Sequence, residues 1–98
     1  MTIEKKINGE EFTLIVSGRL DTQTAPELEK ELNDVLSTTK DLVFDFSSLE
    51  YISSAGLRII LKAQVAMNKQ GSMKITGVND NIMEVFDITG FLDILTIE

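Results

Sequence analysis

The sequence predicts a single α/β domain in which three helices pack on a mixed, mainly parallel sheet of four to five strands. Three observations carry that prediction. The run Leu42-Val-Phe-Asp-Phe46 is apolar except at Asp45, short, and rich in aromatic and β-branched residues, as expected of a central strand covered on both faces. From Ala55 to Gln70, Leu57, Ile60, Leu61, Ala63 and Met67 recur at helical spacing, and Gly71 is placed to end that helix. Met73 to Thr76 then reads as a strand, and the order strand, helix, strand describes a parallel βαβ unit.

The remaining elements follow from the same rules. Ile3 to Ile7 and Glu11 to Gly18 are strand-like segments, the second alternating Phe12, Leu14 and Val16 against Thr13, Ile15 and Ser17, with Gly18 as its breaker. The intervening Asn8-Gly9 is a two-residue hairpin signal. Thr24-Ala-Pro-Glu27 matches a capping box, with Thr24 as the cap, Glu27 reaching back and Pro26 in the first turn. Ala25, Leu28, Leu32, Val35 and Leu36 form the apolar face of the helix that it opens. Ser47 to Ile52 reads as a connection, and Ser47-Ser-Leu-Glu50 as one turn of helix or a plain turn. Asn79 caps a third helix carrying Ile82, Met83, Val85 and Phe86 that stops near Gly90, and Ile94 to Ile97 suits a last strand. With no linker, repeat or low-complexity stretch, residues 1–98 form one domain.

Composition narrows the chemistry. The chain has no His, Cys or Trp, which removes the Ser-His-Asp triad, imidazole acid–base catalysis, tetrahedral zinc sites and iron–sulfur clusters. A net charge of −7 with scattered basic residues disfavours direct binding to nucleic acid and to anionic lipid. A protein partner is the expectation. No apolar run is long enough to cross a bilayer and the first residues are too charged for a signal peptide, so a cytoplasmic location without membrane insertion is expected.

In open α/β sheets functional groups gather where the carboxyl ends of parallel strands meet helix N-termini. Ser53 and Ser54 stand there. A phosphate on a hydroxyl at that point would meet unpaired N–H groups and the positive end of the helix dipole, although both serines also suit plain caps. Asp45, acidic within an apolar strand, needs a donor, an edge or a functional surface; Asp21 is either a turn residue or a recognition residue. Two enzymatic readings are weaker. A Ser54–Lys62 pair would require the lysine to fold back past its own helix N-terminus. A phosphoacceptor Asp45 of the receiver kind would lack both the five βα repeats and the acidic pair that binds magnesium.

Three stretches, Ser17-Gly-Arg-Leu-Asp21, Phe44-Asp-Phe-Ser-Ser-Leu-Glu-Tyr-Ile-Ser-Ser-Ala-Gly-Leu57 and Val85-Phe-Asp-Ile-Thr-Gly90, make the chain resemble a STAS domain of the bacterial anti-sigma-factor antagonist family. The resemblance implies that Ser54, with Ser53 as the rival acceptor, is phosphorylated by an anti-sigma factor that is itself a serine kinase. It implies that the unphosphorylated form binds this partner and frees the sigma factor, and that a serine phosphatase reverses the modification. ATP and magnesium then belong to the kinase, and this chain has no cofactor of its own. Asp21, Asp45, Ser53, Ser54, Ala55, Gly56 and Arg58 are the implied partner-binding residues. Familiar antagonists have Asp before the switch serine and Ser or Thr after it, where this chain has Ser53 and Ala55. A second role within the family is that of an accessory subunit in a stress-signalling or membrane-transport complex.

Overall fold

The computed structural model describes all residues from Met1 to Glu98. β1 (Thr2–Asn8) and β2 (Glu11–Leu20) form the expected antiparallel hairpin. Asn8 faces Glu11 across the ladder, so the turn is Gly9-Glu10, one residue later than the Asn8-Gly9 signal. Gly9 takes φ +64°, the backbone region that a hairpin turn asks of its first residue. β3 (Asp41–Asp45) is central as predicted, parallel to β2 on one side and to β5 (Ser72–Thr76) on the other.

One strand was not expected. Leu49–Ile52, read from sequence as connection, is β4, and it pairs in parallel with the last residues of β2. Gly18 does not break β2 either. It adopts φ +89°, and between Gly18 and Arg19 the register shifts so that Glu50 is the extra residue of a bulge. β2 pairs with β3 through Glu11 to Ile15 and then, from Gly18 to Leu20, with Leu49, Tyr51 and Ile52 of β4, the bulge at Glu50 falling within this second ladder. The strand thus serves two parallel partners in succession.

The helices α1 (Ala25–Val35), α2 (Ser54–Gln70) and α3 (Asp80–Ile88) lie where periodicity put them. Their buried apolar residues, among them Leu28, Leu32, Ile60, Met67, Ile82 and Phe86, join Leu14, Val16, Leu42, Phe44, Met73 and Ile75 of the sheet in one core cluster. The opposite sheet face carries no helix. Val43 is still only 8 % exposed there, between Thr13 and Lys74 in its cross-strand row, but the helices cover β3 on one face rather than two. That is why polar residues are tolerated at Thr13, Asp45, Lys74 and Thr76.

Two further expectations are corrected at element ends. Ile94 to Ile97 is not a strand: Phe91–Asp93 forms a single 3-10 turn, Leu95 turns into the core, and only Ile97 bridges to Ile75. Thr24 does not cap α1 with its side chain. Its hydroxyl donates to the Arg19 carbonyl at 2.8 Å, while the Asp21 carboxylate accepts from the amides of Gln23 (3.0 Å) and Thr24 (3.2 Å). The cap therefore moves back to Asp21, whose charge also suits the positive end of the helix. Asn79 behaves as expected, accepting from the Ile82 amide at 2.9 Å; its amide group also donates to the Leu49 carbonyl at 2.9 Å. That second bond ties α3 to β4.

Gly56 sets the seat of α2. A Cβ there would lie 2.7 Å from Leu20 Cγ and 2.8 Å from Ile52 Cγ1, so the first turn of the helix rests directly on the ends of β2 and β4. Gly56→Ala should destabilise the fold by about 1–3 kcal/mol through overpacking, read as a lower urea midpoint, with amide shifts centred on Leu20, Ile52 and Ser54.

Asp21 gives a pH prediction. Partial burial opposes its charged form, but hydrogen bonds from Thr24 and Gln23 and the nearby Arg19 charge outweigh that and hold the carboxyl below its ordinary range. A carboxyl with a lowered folded pKa contributes stability that is fully present above the unfolded value of about 3.9 and is lost as pH falls through the folded value. NMR titration of the Asp21 side-chain carbon should give a midpoint below that of an unstructured Asp, with the α1 amides losing exchange protection over the same range.

Candidate functional site

The mouth of α2 is assembled by backbone first. The Ser53 amide donates to the Leu20 carbonyl at 2.9 Å, continuing the β2–β4 pairing by one bond, and the Ser53 carbonyl accepts from Leu57 at 3.0 Å to open the helix. Ser53 is extended, at φ −100° and ψ 177°, the usual geometry of a residue at a helix cap. Its side chain does not cap, however: the hydroxyl oxygen is buried and has no hydrogen-bond partner. Ser54, the first helical residue, is exposed. Adjacent serines thus differ in access: Ser53 is half-buried with its hydroxyl oxygen enclosed, and Ser54 is exposed.

The electrostatics at this end favour an anion. The first turn of α2 contains no acidic residue, so nothing offsets the partial positive charge of its free N–H groups. Arg58, one turn along from Ser54, is exposed and forms no ion pair; the chain's salt bridges are Lys5–Glu31, Arg19–Asp21 and Lys62–Glu29. A shallow groove between the first turns of α1 and α2 is lined by Thr22, Pro26, Ala55 and Arg58. It brings Ala55 and Arg58 beside the turn that Asp21 organises.

The other predicted residues fall in different places. Gly56 is buried against Leu20 and Ile52 and has no surface to offer a partner; it shapes the site from beneath. Asp45 sits at the end of β3 on the helix-free face, in a cross-strand row with Ile15 and Thr76. Its carboxylate accepts from the Ser47 hydroxyl at 2.6 Å and the Ser47 amide at 2.9 Å. Those bonds, opposed by partial burial and helped by Lys6, hold its pKa below the ordinary value. Asp45 thus organises the turn into β4.

Two residues that sequence reasoning passed over belong to this region. The Arg19 guanidinium lies 4.1 Å from the centre of the Tyr51 ring, and the two are cross-strand partners next to the Leu20–Ile52 pair. Arg19 also lies 3.8 Å from the Asp21 carboxylate. Tyr51 is 41 % exposed, and a stacked, exposed Tyr–Arg pair is the kind of group that anchors protein interfaces. A signal was available, since the chain's only tyrosine lies two residues before Ser53. No cluster of acidic side chains in the structure could hold a metal ion, and no helix is long and apolar enough to cross a membrane.

Comparison with known proteins agrees with this architecture. The STAS domain family model matches residues 2–98. The chain is 31 % identical over 97 residues to an anti-sigma-B factor antagonist of Staphylococcus aureus, covering 97 % of this chain and 90 % of that protein. It is 28 % identical over 98 residues to the anti-sigma-B factor antagonist of Bacillus subtilis, covering 99 % and 90 %. The fold matches the crystal structure of an anti-sigma factor antagonist from Mycobacterium paratuberculosis with a TM-score of 0.90 at 24 % identity, over 98 % of this chain and 83 % of the other. By sequence, by family model and by fold, the chain belongs to the STAS domain family of the anti-sigma-factor antagonists.

Proposed function

We propose that this protein is a cytoplasmic, non-enzymatic partner-switching module. Unphosphorylated, it binds a kinase-type anti-sigma factor and so releases the sigma factor; phosphorylation of Ser54 turns that binding off, and a serine phosphatase restores it. The observation that carries the reading is the exposure of Ser54 at the first position of α2 beside a Ser53 hydroxyl that is buried. A kinase needs its acceptor in solvent. The names of the curated relatives, anti-sigma-B factor antagonists, support the partner class.

A phosphoserine adds about −1.5 to −2 charges and three acceptor oxygens. On Ser54 it would lie against the free N–H groups of α2 and within one turn of Arg58, which retains the modification without unwinding the helix. The same charge projects into the surface formed by Asp21, Ala55, Arg58 and the Arg19–Tyr51 stack. An acidic partner surface that accepts the unmodified site is then repelled, and an arginine it would have paired with is neutralised. Refolding is not needed for the switch. Asp45 contributes at one remove, by fixing the turn that leads into β4.

Incubation with ATP, magnesium and the kinase-type anti-sigma factor from the same genome, followed by mass-spectrometric mapping, should place phosphate on Ser54. Ser54→Ala should abolish incorporation. Ser53→Ala should retain it, with stability unchanged or slightly raised because an unpaired buried hydroxyl is removed. Ser54→Asp should weaken binding to the anti-sigma factor by about tenfold or more, equivalent to about 1.4 kcal/mol. Phosphate found only on Ser53, or unaltered affinity of Ser54→Asp, would overturn the proposal.

A further inference from the structure

The far end of α3 carries a second surface with a distinct chemistry. Ile88 is 76 % exposed, Leu92 39 % and Ile94 47 %, within seven residues of chain that the 3-10 turn folds back on the helix end. Beneath them Leu95 is buried and Phe91 is packed against the core. The exposed apolar side chains therefore stand on a fixed base.

The charge carried by this stretch of chain is one-sided. From Ile75 to Glu98 the chain has Asp80, Glu84, Asp87, Asp93 and Glu98 and no Lys or Arg. Glu84, Asp87 and Asp93 border the patch in sequence and are exposed, and none of them has an ion-pair partner within the chain. Asp87 lies in the last turn of α3, where no basic residue accompanies it. There an acidic side chain meets the negative end of the helix dipole. A cation supplied from outside would relieve both the mutual repulsion of the acids and this unfavourable placement.

We infer that Ile88, Leu92 and Ile94, rimmed by Glu84, Asp87 and Asp93, form a docking surface for a protein segment whose apolar side chains are flanked by Lys or Arg. Apolar contact supplies affinity and the acidic rim supplies orientation and rate of encounter. A second copy of this chain is a poor occupant, because a two-fold interface would set the acidic rim against itself. The surface also lies at the opposite end of α3 from Asn79, whose side chain reaches Leu49 in the strand leading to Ser53. Nine helical residues separate those ends by about 13 Å at the usual rise of 1.5 Å per residue. The patch shares no residue with the mouth of α2, and docking there is expected to persist when Ser54 carries a charge.

The test uses a synthetic amphipathic helical peptide of Leu and Lys, with a Leu and Glu peptide as control, titrated into the full-length isotope-labelled protein. Shift changes should centre on Ile88, Leu92 and Ile94 for the Lys peptide alone, weaken with added salt, and persist in Ser54→Asp. The double variant Ile88→Ala, Leu92→Ala keeps every acidic residue; it should stay folded with a small fall in melting temperature, since Ile88 is 76 % exposed but Leu92 only 39 %, and bind at least tenfold more weakly. Undiminished binding by that variant would reveal charge attraction alone and overturn the proposal. So would shifts confined to the α2 mouth, or self-association in sedimentation that Ile88→Ala removes. Loss of the Ser54 switch in the phosphorylation experiment would leave this surface unaffected.

Discussion

Everything at the mouth of α2 hangs on β2 pairing with two parallel strands in turn. β3 ends at Asp45, opposite Ile15, so the rest of β2 is left free for another partner. From Gly18 on, β2 pairs instead with Leu49–Ile52, with Glu50 bulged out of that ladder, and the paired ends at Leu20 and Ile52 become the ledge on which α2 stands. Ser53 is bonded to that ledge through its amide, and Gly56 lets the helix touch it without a side chain between. Ser54 is presented to solvent as a result. Its position is thus fixed by the β2–β4 pairing and the close seat of Gly56 rather than by any interaction of its own hydroxyl.

This construction would let the proposed modification change the charge of the site without changing its shape. The helix start is held by main-chain bonds and by close packing against Leu20 and Ile52, both almost fully buried, so added charge acts on whatever approaches rather than on the fold. The surroundings also divide labour between faces. Asp21 caps α1, Asp45 pins the Ser47 turn, and Arg19 stacks on Tyr51. Carboxylates that would otherwise oppose an anion are thereby engaged with amides and hydroxyls of their own turns.

Most of the fold was legible because its helices and central strands bury one face in regular period. Leu28 and Leu32, Ile60 and Met67, and Phe12, Leu14 and Val16 announce their elements by spacing alone. β4 was hidden because its buried residues, Leu49 and Ile52, are three apart, a spacing that suggests a turn of helix; only the distant pairing with β2 makes it a strand. Ile94 to Ile97 erred the other way, with strand propensity overruled when Leu95 was drawn into the core. The Thr24 cap was displaced because the Thr24 hydroxyl donates to the Arg19 carbonyl while the Asp21 carboxylate serves the amides of Gln23 and Thr24. At the site, the position of Ser54 was readable from the strand–helix order. The burial of the Ser53 hydroxyl was not, since a serine at that position equally suits a side-chain cap.

The single bridge between Ile75 and Ile97 has a meaning beyond the folding of this chain. β5 is the outer strand of its side of the sheet, and an open edge is a template on which other chains can add strands. Here the Ile75 amide and carbonyl are already taken, by Thr96 and Glu98, each at 2.9 Å. The opposite edge, β1, is guarded differently, with Glu4, Lys5 and Lys6 in its middle. A domain whose work is to exchange partners must meet other proteins often without polymerising with them. The last residues of the chain serve that end by occupying the edge, so that association is left to side-chain surfaces and kept away from the backbone.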